Sequence, residues 1–203
     1  MPARVKRVCF GRHAARSPAA LIVLLSLSSF CVAQQLQVTL DPAQTKIAWT
    51  LGATMHTVHG TFKLKSGVVK FDPKTGDASG EIVVDALSGE SGNHDRDADM
   101  HNKVLESKRY PEINFVPRRV VGSLAERGKS NLEVRGTFTI HGADHDFTLP
   151  MTVQKTGDTV TASSSFVVPY QDWGMKNPSK TFLHVESKVD VSVSAVGHLT
   201  GSN

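Results

Sequence analysis

The chain has 203 residues, 39% of them apolar, a length that suits one domain with a substantial core. Its 23 lysines and arginines outnumber 19 acidic residues, but five of those cations (Arg4, Lys6, Arg7, Arg12, Arg16) crowd into an N-terminal stretch that carries no acid. Setting residues 1–33 aside leaves 170 residues with 18 basic against 19 acidic side chains and no cysteine, which excludes a basic nucleic-acid face, a disulfide framework, a cysteine nucleophile and a thiolate metal site.

In chain order, the basic opening is followed by an apolar run from Ala19 to Phe30 (AALIVLLSLSSF) and by Cys31-Val32-Ala33 before Gln34. A charged head, a short apolar segment and small residues at a cleavage point predict a secretory signal, cleaved after residue 33. The run is shorter than the roughly 20 residues a membrane span needs, which disfavours a retained anchor. Phe30 stands where a lipoprotein signal needs a small residue. The expected organisation is a cleaved signal over 1–33 and one domain over 34–203. The expected location is the periplasm, with the extracellular space as the alternative.

Period-two alternation then dominates from Gln37 to Leu199 and predicts strands. The early candidates are Ile47–Leu51, Val58–Leu64, Gly67–Phe71, Gly80–Ala86 and Glu112–Val116 continuing towards Val121. Clearer rows follow: Leu132, Val134, Gly136, Phe138 and Ile140; then Phe147, Leu149, Met151 and Val153; then Val160, Ala162, Ser164, Phe166 and Val168. The last row is Val185, Val189, Val191, Val193 and Ala195. Turn chemistry separates them at Lys65-Ser66-Gly67, Lys74–Asp77, Glu126–Lys129, His141-Gly142-Ala143 and Thr156-Gly157-Asp158, where glycine supplies positive φ. One-sided strands joined by short turns predict an antiparallel sheet. Eight or nine of them in one domain predict closure, which removes exposed edges. The expected fold class is all-β, a closed antiparallel barrel of about eight strands.

One segment departs from this pattern. From Gly92 to Arg109 charges replace alternation, and Met100, Val104 and Leu105 recur at helical spacing. A short helix or lid-like excursion is expected, capped by Asp95 or Asp97 and stopped at Tyr110-Pro111.

Inward apolar rows either interlock or leave room for one ligand. Small residues among large ones (Gly60, Gly136, Ala162, Ser164) favour a cavity, although twist and bulges recruit glycine too. Ligands gain roughly 0.3 kcal/mol per heavy atom, so an isoprene unit of five carbons supplies roughly 1.5 kcal/mol. Micromolar binding needs about 8 kcal/mol, or roughly five or six such units. A long apolar chain is therefore a sensible occupant.

Several polar motifs admit other readings. His56, His59, His101, His141 and His145, with Asp97, Asp99 and Asp144, form the alternative reading, a metal-binding protein or enzyme. His56 and His59 lie an odd number apart in a strand and face opposite ways, and no HExxH-type spacing occurs. Ser88-Gly89-Glu90-Ser91-Gly92 is not a nucleophile elbow. Asp95, Asp97 and Asp99 resemble paired carboxylates, but a helix N-terminus also attracts acids. Arg96 beside Asp97 either anchors an anionic head group or forms a local ion pair. Trp173 either lines an entrance or plugs one end of the barrel.

The motifs taken together resemble the YceI-like family of exported proteins that bind polyisoprenoid or related amphiphilic lipids. The resemblance runs from about Leu40 to Leu199. It is carried by Asp41-Pro42 before Thr45-Lys46-Ile47, by His59-Gly60-Thr61-Phe62 with Ser66-Gly67 and Phe71-Asp72-Pro73, and by Gly92-Asn93 with Arg96-Asp97. Tyr110-Pro111-Glu112-Ile113-Asn114-Phe115 and Gly136–Gly142 continuing to Leu149 complete it. It departs at Asp99, where many relatives place a histidine. The resemblance implies a lipocalin-like barrel with an apolar tunnel, no catalytic residues and no cofactor. The expected partner is a polyisoprenoid or other amphiphilic lipid, with no nucleic acid and no stable membrane anchor, and a homodimer is left open. Expected ligand contacts are Trp49, Phe62, Phe115, Phe138, Phe147 and Phe166, with Arg96, His101 and Trp173 near an opening.

Overall fold

The computed structural model describes residues 35–54, 56–125, 127–179 and 184–201. The expected signal, residues 1–33 with both cysteines, lies outside the described residues, as does Glu126 of one expected turn. Among the described residues nine strands form: β1 Leu36–Leu40, β2 Lys46–Ala53, β3 His56–Phe71, β4 Ala78–Glu90, β5 Glu112–Val121, β6 Lys129–Ile140, β7 Ala143–Thr156, β8 Thr159–Val168 and β9 Val189–Gly201. Every pairing is antiparallel, each strand meets the next from β2 to β9, and β2 meets β9 to close the ring. No helix among the described residues is long and apolar enough to cross a membrane.

Nine strands fill eight places because β1 and β2 share one. β1 pairs with the far ends of β3 and β9 (Val38 with Val69 and Leu199), and β2 with their near ends (Trp49 with Gly60 and Val191). The break between them is an Asx turn. Asp41 accepts from the Ala43 N–H at 2.8 Å and from the Gln44 amide at 2.5 Å, which satisfies a backbone group that the ladder would otherwise have paired. The Gln44 amide, followed by the Ala43 N–H, holds the Asp41 carboxyl below its ordinary value of 3.8.

β3 is one 16-residue strand, which corrects the expected turn at Lys65–Gly67. The register on β4 slips between Leu64 and Ser66. Val58, Phe62 and Leu64 face inward before the slip, and Val69 and Phe71 after it. A bulge shifts an apolar row by one residue and recruits small residues, just as a turn does. A similar slip between Pro117 and Arg119 in β5 moves its row from Ile113 and Phe115 to Val120. The His141-Gly142 hairpin is formed as expected, with φ of 54° and 73° at its two central residues, the positive pair a two-residue turn needs.

The ladder between β7 and β8 covers only Thr152–Thr156 against Thr159–Ser163. Pro150, which has no N–H to donate, accepts a hydrogen bond from the Ser164 hydroxyl at 2.6 Å, and beyond that point the two strands part. Aromatic rings close the gap: Phe147 lies 5.4 Å from Phe166 across it, and Trp173, from the segment after β8, lies 5.9 Å from Phe147.

The excursion between β4 and β5 contains a helix, α1 (His94–Asp99), running into a π-helical turn at Met100–Val104. Its N-cap is Asn93, not Asp95 or Asp97. Asn93 has extended backbone (φ −134°, ψ 113°), and its side chain accepts from the Arg96 N–H at 3.0 Å. The two aspartates fall in the first turn instead, where the helix dipole favours them. Helical structure ends near Leu105, ahead of the expected stop at Tyr110, and Glu106 adopts φ 47°.

Candidate functional site

Inside the barrel lies a cavity of about 570 Å³, within the usual range for small-molecule sites. Its walls are the inward rows of the strands. One end is lined by Val38, Leu40, Leu124 and Leu132, and the other by Ala53, His56, Asn93, Asp95, Arg96, Asp99 and Pro178. At the first end Leu132, Val153, Val160 and Leu199 are buried and packed with Leu36 and Leu124. At the second, Met100, Val104 and Leu105 turn inward from the π-helical segment. Their helical spacing marks them as an apolar face, and that face roofs the cavity.

Trp49, Phe62, Phe115, Phe138 and Phe166 all line this space. Two of the four small residues that favoured a cavity, Ala162 and Ser164, also line it. The other two are occupied by rings: the Trp49 indole lies over Gly60, and the Phe115 ring lies over Gly136. Glycine at these positions lets an aromatic lie flat against the wall.

Phe147, Trp173 and His101 are not among the lining residues. Phe147 and Trp173 belong to the ring cluster at the parting of β7 and β8, with Phe138 5.5 Å and 5.7 Å away. Trp173 stacks on His145 at 4.0 Å with the rings 7° from parallel. His101 ties the π-helical turn to β4. One ring nitrogen is 2.9 Å from the Gly89 carbonyl, and the other is 2.8 Å from the hydroxyl of Ser107, which is fully buried. The carbonyl can only accept, so Nε2 donates to it.

Arg96 lines the polar end of the cavity. Its Nε donates to Ser91 Oγ at 2.7 Å and its Nη2 to the Ser91 carbonyl at 2.9 Å. Ser91 is held in turn by Asp97, whose carboxylate accepts from both the Ser91 N–H, at 2.9 Å, and the Ser91 hydroxyl. Of the two readings of this pair, the direct ion pair is replaced by a serine-bridged network.

The remaining histidines are dispersed. His59 contacts the Thr50 hydroxyl at 3.0 Å and His141 lies against Tyr110 at 4.8 Å. Among the described residues no three histidine, cysteine, aspartate or glutamate side chains are placed to share a metal ion.

This arrangement, a closed eight-place barrel around an apolar cavity, coincides with a sequence match to the YceI-like domain over residues 38–197. The chain belongs to the YceI-like family. Solved structures similar to this YceI-like domain include BcnA of Burkholderia cenocepacia, 24% identical, covering 77% of this chain and 98% of that one with a TM-score of 0.63. A polyisoprenoid-binding domain from Saccharophagus degradans, implicated in plant cell wall breakdown, is 15% identical and covers 80% and 98%, with a TM-score of 0.64. The YceI protein of Campylobacter jejuni is 17% identical and covers 74% and 88%, with a TM-score of 0.56. At these identities the likeness is one of fold. No curated protein matches the chain.

Proposed function

We propose that this YceI-like domain is a non-catalytic lipid-binding protein. It holds a polyisoprenoid or similar long amphiphilic chain in its barrel, for carriage or sequestration in the periplasm after export. The observation that carries this reading is the apolar cavity of about 570 Å³, with a packed aliphatic end and a polar end. The polyisoprenoid binding named for the Saccharophagus degradans domain supports it, as does the export signal read in residues 1–33.

The cavity sets a scale. At roughly 30 Å³ per non-hydrogen atom, the share of one water in the liquid, it seats about 19 atoms, close to four isoprene units. At roughly 0.3 kcal/mol per atom the gain is about 6 kcal/mol, a dissociation constant of tens of micromolar. Tighter binding requires either chain held outside the cavity or a polar contact at the mouth.

Native mass spectrometry of the protein purified from its host is expected to show a bound lipid, with a polypeptide that begins at Gln34. Recovery without lipid, together with no uptake of added long-chain isoprenoids, overturns the carrier reading. An intact N-terminus on the exported protein overturns the assigned signal.

A further inference from the structure

We propose that the seam between β7 and β8 is a side gate, through which an apolar chain enters and leaves the barrel past Phe147, Phe166 and Trp173. The inference rests on the barrel holding a chain. It adds the route that chain takes and the residue that sets the rate of passage.

Three ways in can be compared by what holds each one closed. At the aliphatic end, Leu132, Val153, Val160 and Leu199 are buried and packed with Leu36 and Leu124, and β1 is paired there to both β3 and β9. At the polar end, the roof of Met100, Val104 and Leu105 is fastened by hydrogen bonds. His101 Nε2 donates to the Gly89 carbonyl of β4 at 2.9 Å, and its other ring nitrogen is 2.8 Å from the Ser107 hydroxyl. Arg96 Nε donates to Ser91 Oγ at 2.7 Å, and Asp97 accepts from the Ser91 N–H at 2.9 Å. Lifting the roof breaks these bonds together.

The seam has no such fastening. Among the described residues no ladder bond joins Ala143–Met151 to Ser164–Val168: β7 pairs there with β6 alone, and β8 with β9 alone. The Ser164 hydroxyl on the Pro150 carbonyl crosses only where the ladder stops. Two layers of rings fill the remainder. Phe138 and Phe166 form the inner layer and line the cavity. Phe147 and Trp173 form the outer layer, 5.5 Å and 5.7 Å from Phe138, and His145 stacks on Trp173. Nε2 of His145 is buried without a hydrogen-bond partner, so that nitrogen does not anchor the stack. All five rings are partly exposed. Together they make a continuous apolar path from the cavity to the outer surface. An uncovered strand edge invites pairing with another chain; rings that cover it without bonding to it leave it protected and passable. Trp173 governs the passage because it comes from the segment after β8 and can move while both strands stay in place.

The test measures association and dissociation of geranylgeraniol by stopped-flow fluorescence, with melting temperatures recorded for each protein. Trp173→Ala and Trp173→Phe leave Trp49, in the cavity wall, as the sole tryptophan to be quenched. Trp173→Ala is expected to raise both rate constants about tenfold and to keep the dissociation constant within about twofold, since lowering a barrier leaves its end states alone. Trp173→Phe, which restores a ring, is expected to stay within about threefold of the wild-type rates. A short bismaleimide joining Thr148→Cys to Val167→Cys, both exposed positions flanking the seam, is expected to slow both rates tenfold or more. The same reagent joining Ser165→Cys to Ser192→Cys, partners on the β8–β9 ladder, is expected to change neither. Residues 34–203 contain no cysteine, so each crosslink is confined to its pair. Unchanged rates in the seam-crosslinked protein overturn the gate while the carrier reading stands, and this arm decides alone if Trp173→Ala does not fold. A Trp173→Ala protein that weakens binding through dissociation only makes Trp173 a ligand contact and overturns the gate too. A wild type that binds no geranylgeraniol overturns the carrier reading and this inference with it.

Discussion

Replacing Ala162 by a larger residue is expected to shorten the chain the barrel can hold. Ala162 lies on β8, is half-buried, packs against the Leu132–Leu199 cluster and lines the cavity, so atoms added there take up cavity volume at its packed end. Leucine adds three non-hydrogen atoms and phenylalanine six. Against about 19 atoms of capacity, the losses come to about 1 and 2 kcal/mol of apolar contact at roughly 0.3 kcal/mol per atom. A C20 isoprenoid alcohol should therefore bind about fivefold and about twentyfold more weakly. A C10 alcohol, which occupies only about half the space, should be unaffected. Quenching of Trp49 fluorescence follows both titrations, because the indole is in the cavity wall. Melting temperature separates ligand exclusion from overpacking, which costs about 1–3 kcal/mol where space is lacking. If all three proteins bind the C20 chain equally while remaining as stable as the wild type, the volume argument is refuted.

Three further perturbations address the framework. Gly60→Ala places a methyl group into the Trp49 indole and the Glu90 carbonyl and should cost about 2 kcal/mol or more in a urea melt; a change below about 0.5 kcal/mol means that Trp49 does not lie there. His101→Leu leaves the buried Ser107 hydroxyl and the Gly89 carbonyl without their imidazole partner and should cost about 2–3 kcal/mol. A loss below about 0.5 kcal/mol in the same urea melt would count against this pair of contacts. Burial pushes the Tyr170 phenol up to about 12 from an ordinary 10, so it should ionise late in an absorbance titration, a phase that Tyr170→Phe removes. Because the folded value is the raised one, this contribution to stability is complete below pH 10 and is lost as pH rises from 10 towards 12. A melting temperature that does not fall across that interval counts against it.

The later strands were legible because each carries an uninterrupted two-residue period, as in Val189, Val191, Val193 and Ala195, and all four of these residues line the cavity. The early region was harder for a physical reason. A bulge after Leu64 and a turn there produce the same break in alternation, and only the partner strand tells them apart. β1 was not resolved as a strand of its own, since nothing local reveals that two short strands will stack end to end between β3 and β9. For the site, parity placed Trp49, Phe62, Phe115, Phe138 and Phe166 on the inner face. Phe147 has that parity too, but whether an inward ring meets the cavity or its neighbours depends on where β7 and β8 part. His101 was legible only as a polar residue on the excursion. Its partners lie six and twelve residues away in the chain and become visible only when the π-helical turn folds onto β4.

The parting of β7 and β8 also bears on how forgiving the barrel is. Prising apart a paired stretch of wall costs a backbone hydrogen bond per step, about 1 kcal/mol each. Along this stretch the closure is made by Phe147, Phe166 and Trp173, which can swing to new rotamers without breaking a single ladder bond. The girth of the vessel is therefore adjustable along this line. A branched or kinked chain would find its extra width here, while the other nine strand pairings keep their register.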